Sequence, residues 1–240
     1  MLTKASLLRG LFVAIVVISC CSTYAQNRYE IGAEGGLTTN YYRLHDAGKN
    51  LRNPKAHSAI AGINFRVNTR SKFYYETALL AMQYTFGLSL KQQTGYSVTN
   101  ADDVIMLPLR VGYNAMLNSR FSFSPVVGAA CVLKTLNADG MSVQNDPILP
   151  TIVPAVFYSM KPVDNLFVLG QLGADFNCRA TKCIRLSLGI NYYYGLINHA
   201  VYDVEYIIDN NSRQKAVVDA RGNFINYNLA LSYAFPHIRF

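Results

Sequence analysis

The sequence has no tryptophan, four histidines in 240 residues, and a charged fraction of only 15%. His45, His57, His199 and His237 are scattered and show no metal-ligand spacing. No G-x-S-x-G, H-E-x-x-H or phosphate-binding loop occurs. No cofactor or metal is therefore expected. Lysine and arginine exceed the acids by 22 to 14, but they are dispersed along the chain, which argues against nucleic-acid binding. Beyond the N-terminal stretch there is no run of 18 apolar residues. That excludes a membrane-spanning helix there and leaves either a soluble protein or a β-barrel.

The N-terminus reads MLTKASLLRGLFVAIVVISCCSTYAQ. Lys4 and Arg9 precede an apolar stretch at 11–18, and Thr23-Tyr24-Ala25 offers small residues where a signal peptidase cuts. The expected organisation is a signal peptide at 1–25 and a single barrel domain at 26–240. The apolar stretch falls short of the roughly 20 residues a spanning helix needs. The alternatives are a retained anchor and lipidation at Cys20 or Cys21, and Ile18 disfavours the latter. Without Lys4 and Arg9 the formal charge falls from +8 to +6. Cys131, Cys178 and Cys183 remain. Export permits a disulfide, and Cys178 and Cys183, bracketing "RATK", could close a small turn.

What the chain has in abundance is alternation with a period of two. "FINYNLALSYAF" at 224–235 places Tyr227, Leu229, Leu231, Tyr233 and Phe235 on one face and asparagine, serine and alanine on the other. "RYEIGAEGGLT", "SAIAGINFRVN", "VIMLPLRVGYN", "FSFSPVVGAACVL", "LFVLGQLGADF" and "IRLSLGINYYYG" repeat the pattern. "FYYETALLAMQYTF" at 73–86 is apolar on both faces apart from Glu76 and Gln83, so its periodicity gives no orientation. The connections alternate in length. Those at 39–57, 87–102, 136–164 and 197–222 are long, and those at 68–72, 115–120 and 177–183 are short. This is the pattern of an up-and-down barrel with short periplasmic turns and longer outer loops.

Charge decides which face meets lipid. An arginine facing lipid near mid-membrane costs roughly 2–4 kcal/mol, and the apolar faces carry no charge. The expected fold is therefore all-β, an antiparallel transmembrane barrel of eight strands. Its lumen would hold Glu30, Glu34, Glu76 and Asp175 against Arg66, Arg110 and Arg185. Acids and bases nearly balance, as a closed polar interior demands. Tyr29, Phe121, Phe123, Tyr192, Tyr194, Tyr227, Tyr233 and Phe235 suit aromatic girdles. "LPTIVPAVFYSM" at 149–160 carries Pro150 and Pro154, which argue against a central strand. It is expected in the third outer loop, as a strand extension above the membrane. If it spans, "AVYDVEYII" at 200–208 must span too, and the count becomes ten.

"GAEGGL", "VIMLPLRVGYN" with its mid-strand Pro108, "INYYYGLINHA" and the final "YNLALSYAF" together resemble the eight-stranded outer-membrane β-barrels of the Bacteroidota, the OmpA-like group that includes PorT-like proteins. The resemblance implies an outer-membrane location and a structural or interaction role that supports secretion or surface assembly. It implies secretion-complex partners, while the charges themselves suggest contact with outer-membrane lipids: Arg70, Lys72, Arg120, Arg179 and Lys182 beside phospholipid headgroups, and Arg43, Lys49, Arg52 and Lys55 against Asp46 in the first outer loop touching lipopolysaccharide phosphates or a partner protein. It also implies insertion by the barrel-assembly machinery, which reads a terminal aromatic, here Phe235 or Phe240. Members often carry an acidic residue in the third strand; here Ala78 takes that place, with Glu76 one pleat away. Outer-membrane enzymes place histidine with serine or aspartate at the outer rim. His45 with Asp46, or His199 with Asp203, could imitate this, but both pairs read as ordinary loop polarity. The chain is expected not to be an enzyme. A small channel is the second reading and a lipid-modifying enzyme the third.

Overall fold

Residues of alternating polarity form pleated ribbons, and here the ribbons close on themselves. The computed structural model describes residues 28–91, 97–135, 156–162, 165–208 and 212–235. The expected signal peptide and Phe240 lie outside them. The strands are β1 (Arg28–Asp46), β2 (Leu51–Arg52), β3 (Ala56–Asn68), β4 (Phe73–Leu90), β5 (Ser97–Tyr113), β6 (Ala115–Met116), β7 (Phe121–Lys134), β8 (Val156–Pro162), β9 (Leu166–Arg179), β10 (Ile184–Gly195), β11 (Ala200–Ile208) and β12 (Ser212–Ala234). Eight of them form an antiparallel ring in the order β1-β3-β4-β5-β7-β9-β10-β12, and β12 pairs back onto β1. Closure removes every edge from the ring, which is what a hydrocarbon environment demands of a sheet.

The ring holds eight staves and not ten. β11 and β8 do not join it. β11 pairs with the outer part of β12, from Ala200 opposite Ala220 to Ile208 opposite Ser212, and β8 pairs with β11. The segment Val156–Pro162 is thus a strand extension above the ring, while residues 149–155 lie outside the described ones. Several expected outer loops prove to be strand. β1 runs to Asp46, β4 to Leu90, and β5 starts at Ser97. Hydropathy alternation marks where lipid contact ends, but backbone pairing needs no lipid and continues past that border.

One glycine makes the extension geometrically permissible. The β1–β12 register shifts between Tyr41 and Arg43, where β12 carries extra residues. Gly222 sits there with φ of 84°, in the left-handed region. Below this bulge β12 pairs with β10, and above it with β11. A Cβ on Gly222 would also meet Leu169 Cδ2 at 2.9 Å.

The outward faces are apolar through the ring. Leu37, Leu172, Leu188 and Leu231 are each more than half exposed. This belt covers about residues 29–37, 59–67, 73–81, 105–113, 121–133, 168–178, 184–194 and 225–235. Phe123, Tyr192, Tyr194, Tyr227 and Tyr233 are exposed on it, as interface aromatics would be. The charged residues Glu30, Glu34, Arg66, Glu76, Arg110, Asp175 and Arg185 are all buried inside. β4 resolves in the same frame. Tyr74, Glu76, Ala78, Leu80, Met82 and Tyr84 point inward, and Tyr75 and Leu79 outward. Pro108 cannot donate, and the β4–β5 ladder is interrupted between the Thr77–Leu109 and Leu80–Met106 pairs. Thr77 Oγ1 donates to the Pro108 carbonyl at 3.0 Å there.

The disulfide that Cys178 and Cys183 could make does not form. Cys131, Cys178 and Cys183 are all free thiols. In the β9–β10 hairpin Cys178 lies opposite Leu186, three residues along the strand from Cys183. At about 3.4 Å per residue that offset is about 10 Å, beyond the roughly 7 Å between Cα atoms that a disulfide can bridge.

Leu188 and its register partner Leu229 mark the middle of the lipid-facing belt. Leu188→Arg is expected to destabilise the folded barrel by about 2–4 kcal/mol in lipid vesicles, measured by denaturant titration with electrophoretic mobility on unboiled gels. An unchanged midpoint would mean that this face does not meet acyl chains.

Candidate functional site: the closed lumen

Register builds the lower lumen. Glu30 lies opposite Arg66, Arg66 opposite Glu76, and Glu76 opposite Arg110, so four adjacent staves present one inward row of alternating charge. Side chains then reach across the barrel. Arg66 Nε donates to Glu76 Oε2 at 2.6 Å, and its Nη2 to Asp175 Oδ2 at 3.5 Å. Arg110 Nη1 donates to Glu76 Oε1 at 2.8 Å and Glu34 Oε2 at 3.0 Å. Its Nη2 donates to Glu34 Oε1 at 3.1 Å and to the Tyr193 hydroxyl at 3.2 Å. Below them Arg185 Nε donates to Glu30 Oε2 at 2.6 Å. Its Nη1 reaches Asn177 and Ser187, and its Nη2 reaches Ser232. Asn177 in turn donates to Ser124 at 2.9 Å. Every stave of the ring contributes to this network.

A missing side chain lets one aromatic into it. Tyr74 lies over Gly112, where any Cβ would overlap its ring. In that position the ring sits under the Arg66 guanidinium, 3.8 Å from its centroid, and the hydroxyl donates to Asp175 at 3.0 Å. Toward the outer side, Asn228 donates to Glu34 at 2.8 Å, Asn191 to Asn228 at 3.2 Å, and Gln171 to Asn191 at 2.8 Å. The network fills the cross-section, as expected for a barrel just wide enough for its own side chains.

Above the charges the lumen becomes aromatic. Tyr193 stacks on Phe224 at 4.4 Å, Phe167 on His199 at 4.3 Å, and Phe86 on Tyr202 at 4.5 Å. Leu80, Met106, Val132 and Leu169 fill the space between. Sequence periodicity missed this layer, because a strand apolar on both faces carries no alternation to read. Buried polar atoms are embedded in it. Lys134 Nζ lies 3.5 Å from Asp102 Oδ2. Tyr84 OH and both ring nitrogens of His199 have no hydrogen-bond partner among the described residues. Burial, and then the Lys134 ammonium, lower the His199 pKa from 6.5 to about 3.

At the outer rim Asp46 accepts from Leu51 N at 2.8 Å, Gly48 N at 3.0 Å and the Tyr206 hydroxyl at 2.7 Å. Burial pushes its carboxyl up, but these hydrogen bonds outweigh it and hold the pKa below the ordinary value. Asp46 is thus a latch between β1 and β11 and does not serve His45. His45 instead meets Asp219 at 3.2 Å. His199 is stacked inside the lumen on Phe167. His57 meets Thr39 Oγ1 at 3.1 Å, and His237 lies outside the described residues. No cluster of three or more metal-ligating side chains occurs among the described residues.

No protein-family model matches the chain, and no curated protein matches its sequence. Several solved structures share the architecture. The outer membrane protein OprG from Pseudomonas aeruginosa is 17% identical over 86% of this chain and 95% of its own, with a TM-score of 0.48. The outer membrane protein AlkL is 15% identical over 91% and 95%, at 0.46. The outer membrane protease OmpT from Escherichia coli is 8% identical over 87% and 97%, at 0.41. Identities and TM-scores this low convey no activity. They do correct one expectation. A protease stands among proteins of this general fold, so the absence of catalytic motifs does not make the chain a non-enzyme. The closed ring, the lipid-type exterior and the charged interior are those of an integral protein of the Gram-negative outer membrane.

Arg110→Met would leave Glu34 buried with only the Asn228 amide beside it. A loss of about 3–5 kcal/mol is expected, measured by denaturant unfolding in lipid, with part recovered in the Arg110→Met, Glu34→Gln double variant. His199 yields a pH dependence. Its folded pKa is depressed, so below about 6.5 the unfolded chain takes a proton that the folded chain refuses. Relative to His199→Phe, the protein should lose about 1.4 kcal/mol per pH unit between about 6.5 and 3. Parallel unfolding curves for the two proteins over that range would show that His199 is not buried and neutral.

Proposed function

We propose that this outer-membrane barrel is a non-conducting scaffold whose work is done outside the bilayer, as an interaction partner in secretion or surface assembly. Lumen closure carries the reading. The Arg66, Glu76, Arg110, Glu34 network spans the barrel, and the aromatic layer seals it above. A barrel with no path through it offers its partners its outer strands. Here those strands form a built platform. β11 and the outer part of β12 pack Tyr202, Val204, Tyr206 and Val218 against Phe86 and Leu88 of β4. The resemblance to PorT-like barrels of the Bacteroidota supports the secretion role, after export by the signal peptide at 1–25. Phe235, whose N–H donates to the Tyr29 carbonyl at 2.9 Å, is the residue the barrel-assembly machinery would read. Arg43, Lys49, Arg52 and Lys55 give the first outer loop a basic surface suited to lipopolysaccharide phosphates, with Asp46 turned inward as a latch.

A small channel is the second reading. Asn40 Oδ1, Tyr84 OH and Asp102 Oδ1, buried without a hydrogen-bond partner among the described residues, favour it. Planar-bilayer recording separates the two. No steady conductance is expected, together with loss of exported surface proteins in a deletion strain. Steady conductance with a normal surface proteome would replace the scaffold with the channel. A lipid A mass shift abolished by His45→Ala would assign lipid chemistry at the rim.

A further inference from the structure

At the end of the barrel that carries the short turns and both ends of the ring, the lumen opens into a cavity of about 60 Å³. We propose that this periplasmic mouth binds a phosphate-type oxyanion. Four guanidinium groups, those of Arg66, Arg120, Arg179 and Arg185, line the cavity with a single carboxylate, Glu30. Arg66 is committed to Glu76 and Asp175, and Arg185 to Glu30. Arg120 and Arg179 have no carboxylate within 4.0 Å among the described residues. The two are held side by side, because Arg179 N donates to the Arg120 carbonyl at 2.7 Å.

Two further observations point to a ligand. Arg179 and Arg185 face each other directly in the β9–β10 register, and like charges placed so are destabilising. An anion between them removes the penalty. Ser122 is 8% exposed and lines the cavity, yet no hydrogen bond among the described residues uses its hydroxyl. Asn114, also on the wall, accepts from Ser124 with its side-chain carbonyl, and its side-chain N–H groups have no acceptor among the described residues.

Donor chemistry selects the ligand. The cavity has room for a small tetrahedral anion. Two guanidinium groups without a carboxylate, a hydroxyl and an amide line it among the described residues, more donors than the two oxygens of a carboxylate call for. Arginine forks match phosphate oxygens two at a time. Two sources present this chemistry: soluble phosphate, and the phosphodiester headgroup of an anionic phospholipid. The rim residues Arg28, Arg70, Lys72 and Lys182 would draw either toward the mouth.

The test uses the full chain. In non-ionic detergent, inorganic phosphate is titrated against chloride at constant ionic strength, and backbone amide shifts of the turns at 117–120 and 180–183 are followed by NMR. Saturable shifts specific to phosphate are expected, weakened at least tenfold in the Arg120→Gln, Arg179→Gln double variant. The Arg70→Gln, Lys72→Gln variant, altered on the rim outside the cavity, should keep them. A second arm omits free phosphate and compares phosphatidylglycerol with phosphatidylcholine nanodiscs. The same shifts appearing only with phosphatidylglycerol would identify the headgroup as the source. Unboiled-gel mobility confirms that each variant is folded. Shifts in neither arm, shifts matched by chloride, or shifts that survive Arg120→Gln, Arg179→Gln would overturn the proposal.

Discussion

A guanidinium held between two carboxylates, Arg110 between Glu34 and Glu76, is the interaction around which this barrel is organised. Three staves supply the three groups, and Tyr193 adds a fourth. None of these charges can turn outward, because acyl chains solvate no ion. None can stand alone inside, because an unpaired buried charge costs several kcal/mol. The pleat forces each onto the lumen side, where the arginines meet acids on other staves. A slip of one residue would send every charge into the lipid and every leucine into the lumen, so the network and the apolar belt fix register together.

The lumen is built in two materials. The periplasmic half is ionic and hydrogen-bonded, with Arg66, Arg110 and Arg185 each donating to a carboxylate on another stave. The outer half is packed like a small soluble core, with stacked rings and aliphatic side chains. Core-like packing beyond the membrane border explains why the hairpins keep pairing there. It also explains why Gly222 matters: the bulge at that position lets β12 exchange β10 for β11 and carry the sheet into the outer platform.

The two ends differ in charge as well as in shape. The periplasmic turns bear Arg70, Lys72, Arg120, Arg179 and Lys182 without an acid. At the outer end acids are engaged: Asp46 with Tyr206, Asp219 with His45, and Asp102 beside Lys134. At the periplasmic mouth, where the cavity lies, Arg120 and Arg179 have no carboxylate beside them among the described residues.

By itself the sequence determined the class of fold and the side on which charge sits, and it narrowed the staves to eight or ten. Each follows from a local rule: period-two alternation, turn spacing, and the cost of an ion in hydrocarbon. Glu30, Glu34, Arg66, Arg110, Asp175 and Arg185 could be placed on the inward face because each interrupts an otherwise polar-or-small row opposite leucines and tyrosines. Only the tertiary structure decided the partners. Glu30 stands opposite Arg66 in the sheet but bonds Arg185 on a distant segment, and Tyr74 reaches Asp175 only because Gly112 on the neighbouring strand has no side chain. The aromatic layer, the burial of His199, the outer strands and the failure of Cys178 to meet Cys183 belong to the same category. They depend on distances across a closed ring and on hairpin register, which set side chains from remote segments against one another in ways that spacing along the chain does not encode.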